Sequence, residues 1–403
     1  MLLLLSFLLS SPSLVVGEEF YSQRWPLRDI WAWYVGIGWR VGPNYIPNTA
    51  VNAIQMWQAN HFDPVAINRE LQWAARARMN TVRVFLHFVP WAEDRVGFLG
   101  RLEDFLTVAA GNGIKVAFVL LDDTWHPFPK FGEQEEPIPL LHNSQWVQNP
   151  GWKGLINETF QDGLLQSYIR EVAFKAEEQV EEKCEIEVVE RFKSDTRVLF
   201  WDVYNEPGRG FYHDLANKTA YSARLLDKVF DWVRLLGPTQ PLTSGLFRPI
   251  ANRSLSPIEN LQTQRSDFLS FHHYHDPGEF DTCYRDLMRF GRPVFCTEFL
   301  ARPYNSTFQT ILPLAKERWI GALNWGWVAG KTQALMPWDS WYTGYGSLPT
   351  QWFQDVVYPN GSAWRASELE YVREMLASTT LRPTRVSPRV AQLDLPSLAK
   401  RFL

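Results

Sequence analysis

Residues 196–208, TRVLFWDVYNEPG, decide how the chain is read. Val198, Leu199, Phe200 and Val203 make a short apolar strand. It runs directly into Asn205 and Glu206, and Pro207 and Gly208 stop it. A carboxylate at the mouth of an apolar strand is costly unless it is paired or used. Residues 293–299, PVFCTEF, repeat the pattern: a second apolar strand that ends on Glu298. Two glutamates, each at the C-terminal end of its own strand, imply one pocket with two carboxylates.

Outward from these strands the chain alternates. Toward the N-terminus, residues 31–39, WAWYVGIGW, read as a first strand. Gly36 and Gly38 do not make a dinucleotide loop, because the third glycine and the helix start are missing. Residues 40–58 read as a long loop that becomes helical. Residues 62–80 form an amphipathic helix, with Asp63 as its cap and Pro64 in its first turn. In the strand that follows, TVRVFLH, Arg83, Phe85 and His87 share one face and Val82, Val84 and Leu86 the other. A helix over 99–110 ends at Gly111-Asn112-Gly113, and IKVAFVLLDD is a buried strand closing on Asp122 and Asp123. Residues 124–163 are a long loop rich in Trp, His and Pro, the usual character of a functional wall. A charged helix over 164–191 precedes the Glu206 strand. After it come a helix over 216–236, the strands PLTSGL, DFLSFHHYH and PVFCTEF, a helix over 311–319, the strand IGALNWGW and a final helix.

Alternating β and α elements favour a parallel sheet. Polar residues recur at strand ends: Arg83, Asp122, Glu206, His272, Glu298 and Trp325. A (β/α)8 TIM barrel gathers all such ends on one face, whereas a doubly wound sheet gathers its ligands at one switch point. The spread over six strands favours the α/β class in its (β/α)8 barrel form.

Composition narrows the partners. The 403 residues carry a formal net charge of −4, which gives no reason to expect nucleic acid. Residues 1–17, MLLLLSFLLSSPSLVVG, read as a signal peptide, and no later run is apolar for long enough to span a membrane. Five N-x-S/T sequons (Asn157, Asn217, Asn252, Asn305, Asn360) fit a secreted glycoprotein. The expected layout is a catalytic domain over 18–378 and a flexible tail over 379–403. Three cysteines, Cys184, Cys283 and Cys296, include no zinc spacing, so no metal site is expected. Some of the 19 Trp must line a core, and a surplus at loop positions would suit stacking on sugar rings.

Paired carboxylates are the equipment of glycoside hydrolysis: one protonates the leaving oxygen, the other stays ionised and attacks the anomeric carbon. Asn205 is placed to hydrogen-bond a sugar 2-hydroxyl, Tyr274 to hold the nucleophile ionised, and His272 to orient the acid or a hydroxyl. Arg83 holds a carboxylate in its charged form, and Trp325 floors the sugar site, with Trp327 second in line. Each has a plainer reading: an ion-paired Glu, a turn-capping Asn, a satisfied core His, a structural Arg, a core Trp.

On these motifs the chain resembles the clan A glycoside hydrolases, specifically secreted family 5-like (cellulase-type) proteins. WDVYNEP, SFHHY, PVFCTEF, MNTVRVFLH and LNWGWVAGKTQ stand in the family's order and cover roughly residues 33–358. The resemblance implies a (β/α)8 barrel, retention of configuration and no cofactor. It implies Glu206 as acid/base and Glu298 as nucleophile, supported by Arg83, Asn205, His272, Tyr274 and Trp325. The family's histidine after the third strand falls at His126 in DDTWHP. The implied substrates are β-linked oligo- or polysaccharides of glucan, mannan or xylan type. A carbohydrate-binding protein without turnover and a transglycosylase are the alternatives.

Overall fold

The computed structural model describes residues 24–170, 191–209, 217–247 and 253–377. The signal peptide, Cys184, the acidic run before Arg191, Asn252 and the 379–403 tail lie outside the described residues. Eight parallel strands form one sheet: β1 Val41–Asn44, β2 Thr81–Phe85, β3 Lys115–Val119, β4 Val198–Asp202, β5 Leu242–Thr243, β6 Leu269–His272, β7 Val294–Phe299 and β8 Gly321–Trp325. Their order, β5-β4-β3-β2-β1-β8-β7-β6, brings β8 back against β1. The gap between β5 and β6 is closed by a bridge from Leu246 to Phe271. There the Leu246 N–H donates to Ser270 O and the His272 N–H to Leu246 O, both at 3.0 Å. The result is a (β/α)8 TIM barrel.

Helices cover the outside. Pro64–Arg76 starts where the Asp63 carboxylate accepts from the N–H groups of Val65 and Ala66. Pro257–Arg265 starts at a reciprocal Ser256–Glu259 capping box. Their apolar faces bury the outward residues of the strands, among them Val82, Val84, Val116 and Phe118, in one continuous core. Inward residues belong to a different population, and this division positions the site.

Residues 31–39 are not a strand. They lie in and just after a helix, Leu27–Gly36, that plugs the N-terminal end of the barrel. Trp33 stacks on Phe268 with centroids 5.4 Å apart. The Tyr34 hydroxyl reaches the carbonyls of Val294 at 2.8 Å and Trp319 at 2.5 Å. An uninterrupted apolar run of this length carries no period, so it cannot separate a buried strand from a buried helix. The first strand is instead Val41–Asn44, inside the stretch read as a loop. Gly42 is obligatory there, because a Cβ would stand 1.7 Å from the Thr81 carbonyl oxygen. Above the plug, Phe200, Phe268 and Phe295 fill the barrel with centroids 5.0–5.5 Å apart. Polar chemistry is thereby confined to the C-terminal ends of the strands.

Candidate active site

Arg83, on β2, is completely buried and stands at the centre of the upper barrel. All five of its N–H donors are used. Nε and Nη2 hold Asp202 Oδ2 at 3.1 and 2.8 Å, and Nη2 also holds Asn205 Oδ1 at 2.6 Å. Nη1 holds Asn44 Oδ1 at 2.7 Å and Glu298 Oε1 at 2.8 Å. The second oxygen of Glu298, Oε2, accepts from the Tyr274 hydroxyl at 2.6 Å. Glu206 lies just past β4 and is 1% exposed. Its Oε1 is 2.5 Å from His272 Nδ1, and its Oε2 is 2.8 Å from Arg209 Nη1. That same His272 nitrogen is 3.3 Å from Glu298 Oε2. Oxygens of the two carboxylates approach within 4.8 Å.

The local backbone explains how neighbours in sequence face one cavity. Glu206 has φ 45°, the left-handed region, where a non-glycine residue costs about 1–3 kcal/mol. The chain turns at this point, so Asn205 and Glu206 both face inward. Asn205 is fixed from both sides, accepting from Arg83 and donating to Asp122 Oδ1 at 2.9 Å. Asp122 also accepts from Trp146 Nε1 at 2.7 Å and from the Thr124 hydroxyl at 2.8 Å.

The electrostatics of the pair are asymmetric. Burial pushes the Glu206 carboxyl up, but the Arg209 charge and the His272 hydrogen bond pull it down, to a value well below the usual carboxylate range. For Glu298, burial outweighs the pull of His272 and Arg83, the charge on Glu206 adds to it, and the carboxyl is raised. Like charges this close cannot both form freely. Burial likewise pushes Asp122 up to about 7.

The carboxylates open into a cavity of about 370 Å³ walled by Trp125, His142, Tyr274, Trp325, Trp338 and Arg209. Trp325, at the end of β8, packs edge-on against Phe85 and Trp146 at 5.6 and 5.5 Å. Trp327 is buried and donates to Glu70 O at 3.0 Å. Trp325 alone of the two lines the cavity that holds the carboxylates. The structure does not bring His126 there. The chain is left-handed at Trp125, φ 63°, which sets Trp125 over the cavity and His126 against Trp341, within 3.1 Å of Ser144 O. His142 takes the place beside Trp125. Its Nδ1 is 2.6 Å from Met336 O, and burial lowers it to about 4, which keeps it neutral at neutral pH.

Sequence reasoning missed Asp202, Arg209, His142 and Trp338. Asp202 had a signal: a charge inside an apolar strand needs a partner, and Arg83 was a buried cation in want of one. Glu206, His272 and Glu298 are the one group of potential metal ligands close enough together among the described residues. Every carboxylate oxygen in it is already engaged, two of them by guanidinium groups, and that positive field opposes a divalent cation.

No family model and no curated protein sequence matches the chain. Solved structures do. The chain is similar to the exo-β-1,4-mannosidase Op5Man5 from Opitutaceae bacterium strain TAV5, with TM-score 0.54 and 18% identity over 85% of this chain and 59% of that one. It thus spans less than two thirds of the mannosidase's length. It is also similar to a GH5_18 protein from Streptomyces cattleya solved with GlcNAc (TM-score 0.53, 12% identity, 86% and 82% of the two chains). The endo-β-1,4-mannanase from Thermotoga petrophila matches with TM-score 0.51 and 13% identity over 84% and 76% of the two chains. At these identities the likeness is one of fold.

Proposed function

We propose that the protein is a retaining β-glycoside hydrolase that works by double displacement. The observation that carries this reading is the buried pair Glu206 and Glu298, within 4.8 Å of one another and held by different partners. Retaining enzymes set their carboxyl groups about 5–5.5 Å apart, inverting ones about 6.5–9.5 Å. Glu298 attacks the anomeric carbon while Glu206 gives its proton to the departing oxygen, leaving a glycosyl ester on Glu298. Glu206, now ionised, takes a proton from water, whose oxygen displaces Glu298 and restores the configuration. Arg83 and Tyr274 stabilise the Glu298 carboxylate as leaving group. Asn205 meets the 2-hydroxyl, and Trp325 floors the ring.

Among glucan, mannan and xylan types, the mannosidase and mannanase among the structural neighbours favour β-mannosides. The N-terminal apolar run and the sequons favour action outside the cell. A binding protein without turnover has no need of two carboxylates this close together. The test is a screen of aryl β-glycosides and of soluble β-mannan, β-glucan and β-xylan, with Glu298→Gln as the blank. Wild type releases sugar, and the variant loses at least about 10⁴-fold, in line with removal of a nucleophile, while still binding. Binding without release by wild type would return the protein to the carbohydrate-binding class.

A further inference from the structure

Catalysis needs Glu206 protonated in the first step, and the resting site holds it between two partners, Arg209 and His272. His272 is buried; only Arg209 is exposed. Arg209 Nη1 sits 2.8 Å from Glu206 Oε2, and the Arg209 side chain is 39% exposed. Its guanidinium lies over the Phe247 ring, 3.6 Å from the centroid, so a platform keeps it in the cavity when it leaves the carboxylate. The other charged or titratable groups facing the pair are buried and committed. His272 bridges the two carboxylates from β6, Tyr274 donates to Glu298, and Arg83 is saturated from β2. Asp122 is taken up by Asn205, Trp146 and Thr124. Arg209 alone can move without breaking the core.

Its position also fixes which part of a substrate it meets. Glu206 protonates the departing oxygen, so the leaving group lies on the Glu206 side, toward the loops after β4 and β5 that carry Arg209 and Phe247. Once Glu206 is neutral, Arg209 faces that side with its charge unmatched. A planar guanidinium held on a ring face suits an anion with two oxygens in one plane.

We propose that Arg209 recognises an anionic group on the leaving-group side of the substrate, and that this exchange of partners releases Glu206 to act as the acid. The favoured substrates are β-glycosides whose leaving group carries an acid, with a uronate or a sulfate ester as the two sources. This rests on the glycosidase reading above. When Arg209 swings to the substrate, Glu206 loses the cation that held it ionised and takes up one proton from the solvent.

The experiment compares aryl β-glycosides bearing a carboxylate on the aryl ring, in the meta or para position, with their methyl esters, in wild type and in Arg209→Gln. Dividing the two ratios removes the intrinsic difference in leaving-group reactivity. The carboxylate preference in kcat/KM falls about tenfold in the variant, the order expected for a charge-assisted hydrogen bond at a half-exposed site. The acid limb of the pH profile on the esters moves to higher pH, because Glu206, the lower carboxyl of the pair, has lost the charge that held it ionised. Arg209→Lys, which keeps the charge without the fork, retains part of the preference. The matching sulfonates separate the sources: a sulfonate preferred over the carboxylate points to sulfated sugars. A ratio unchanged within twofold, with the pH profile unmoved, overturns the proposal. If wild type cleaves none of these glycosides, the glycosidase reading fails separately. Calorimetric binding to Glu298→Gln then decides: carboxylates bound about tenfold tighter than esters, and no longer so when Arg209→Gln is added, support Arg209, and equal affinities refute it.

Discussion

The two carboxylates sit in one cavity and are built in different ways. Glu298 lies inside strand β7, opposite His272 of β6 where the register slips by one residue, and its carbonyl accepts from the His273 N–H at 2.9 Å. Its side chain is held by a saturated arginine and a buried tyrosine. Glu206 lies beyond the end of β4, with a left-handed backbone, and one of its oxygens depends on a half-exposed arginine. The difference fits the division of labour proposed for the pair. A nucleophile needs one trajectory and one charge. A group that gives a proton in one step and takes one in the next needs surroundings that can change.

The comparison breaks most severely at Arg83. Arg83→Met leaves Glu298 and Asp202 buried without their cation. Stripping one partner from a buried ion pair costs about 3–5 kcal/mol, which denaturant unfolding will show as a lower midpoint. Adding Asp202→Leu returns much of that stability, because the second uncompensated charge is gone, and turnover stays low because Glu298 still lacks its partner. Recovery of both would mean that Arg83 serves the fold alone. The flexible side of the comparison is sharpened by Glu206→Ala. Glycosides with poor leaving groups lose about 10²–10⁴-fold, the range of general acid catalysis. Activated aryl glycosides, which need little protonation, lose far less in the glycosylation step. Equal losses on both substrate types would remove the acid role.

The rigid half of the site was the more legible in sequence. Arg83 and His272 sit on strands whose alternation puts them on the inner face, and Tyr274 continues that period two residues past β6; Glu298 was legible as a charge closing an apolar strand, and the register slip after Cys296 turns it inward. Asn205 and Glu206 were legible because the strand before them is apolar and Pro207-Gly208 ends it. Arg209 was not, because nothing in a loop fixes where a side chain points. His126 failed for the same reason: one left-handed residue, Trp125, exchanges it for His142, which lies far along the same loop. In the fold, the first helix and β1 were misread for two further causes. The Trp31–Trp39 run shows no period because its first turn, Trp31–Tyr34, is buried on every side as a plug. β1 shows neither alternation nor β-branched enrichment, because its Gly42 answers a close approach of β2.

The smallest expected effect concerns Tyr274. Burial raises its hydroxyl well above the ordinary range, and the charges of Glu298 and Glu206 push it further the same way. It therefore keeps its proton and remains a donor to Glu298 at every working pH. Trp338 packs edge-on against the ring at 5.1 Å, so phenylalanine fits the same slot. Tyr274→Phe removes one of two donors from Glu298, and His272 Nδ1, already 3.3 Å away, takes up part of the loss. A hydrogen bond to a charged group contributes about 1.5–3 kcal/mol. With that partial compensation, kcat/KM at the pH optimum falls by about tenfold. The sign of the pH effect is fixed. The hydrogen bond stabilises the ionised form, so its loss raises the Glu298 carboxyl further, and less of it is ionised at any given acid pH. Because Glu298 is the higher of the two carboxyls and Glu206 the lower, the basic limb of the profile moves to higher pH, while the acid limb, set by Glu206, stays where it was. An acid limb that moved instead would mean that Tyr274 serves the proton donor and that the two halves of the site are less separate than their geometry implies.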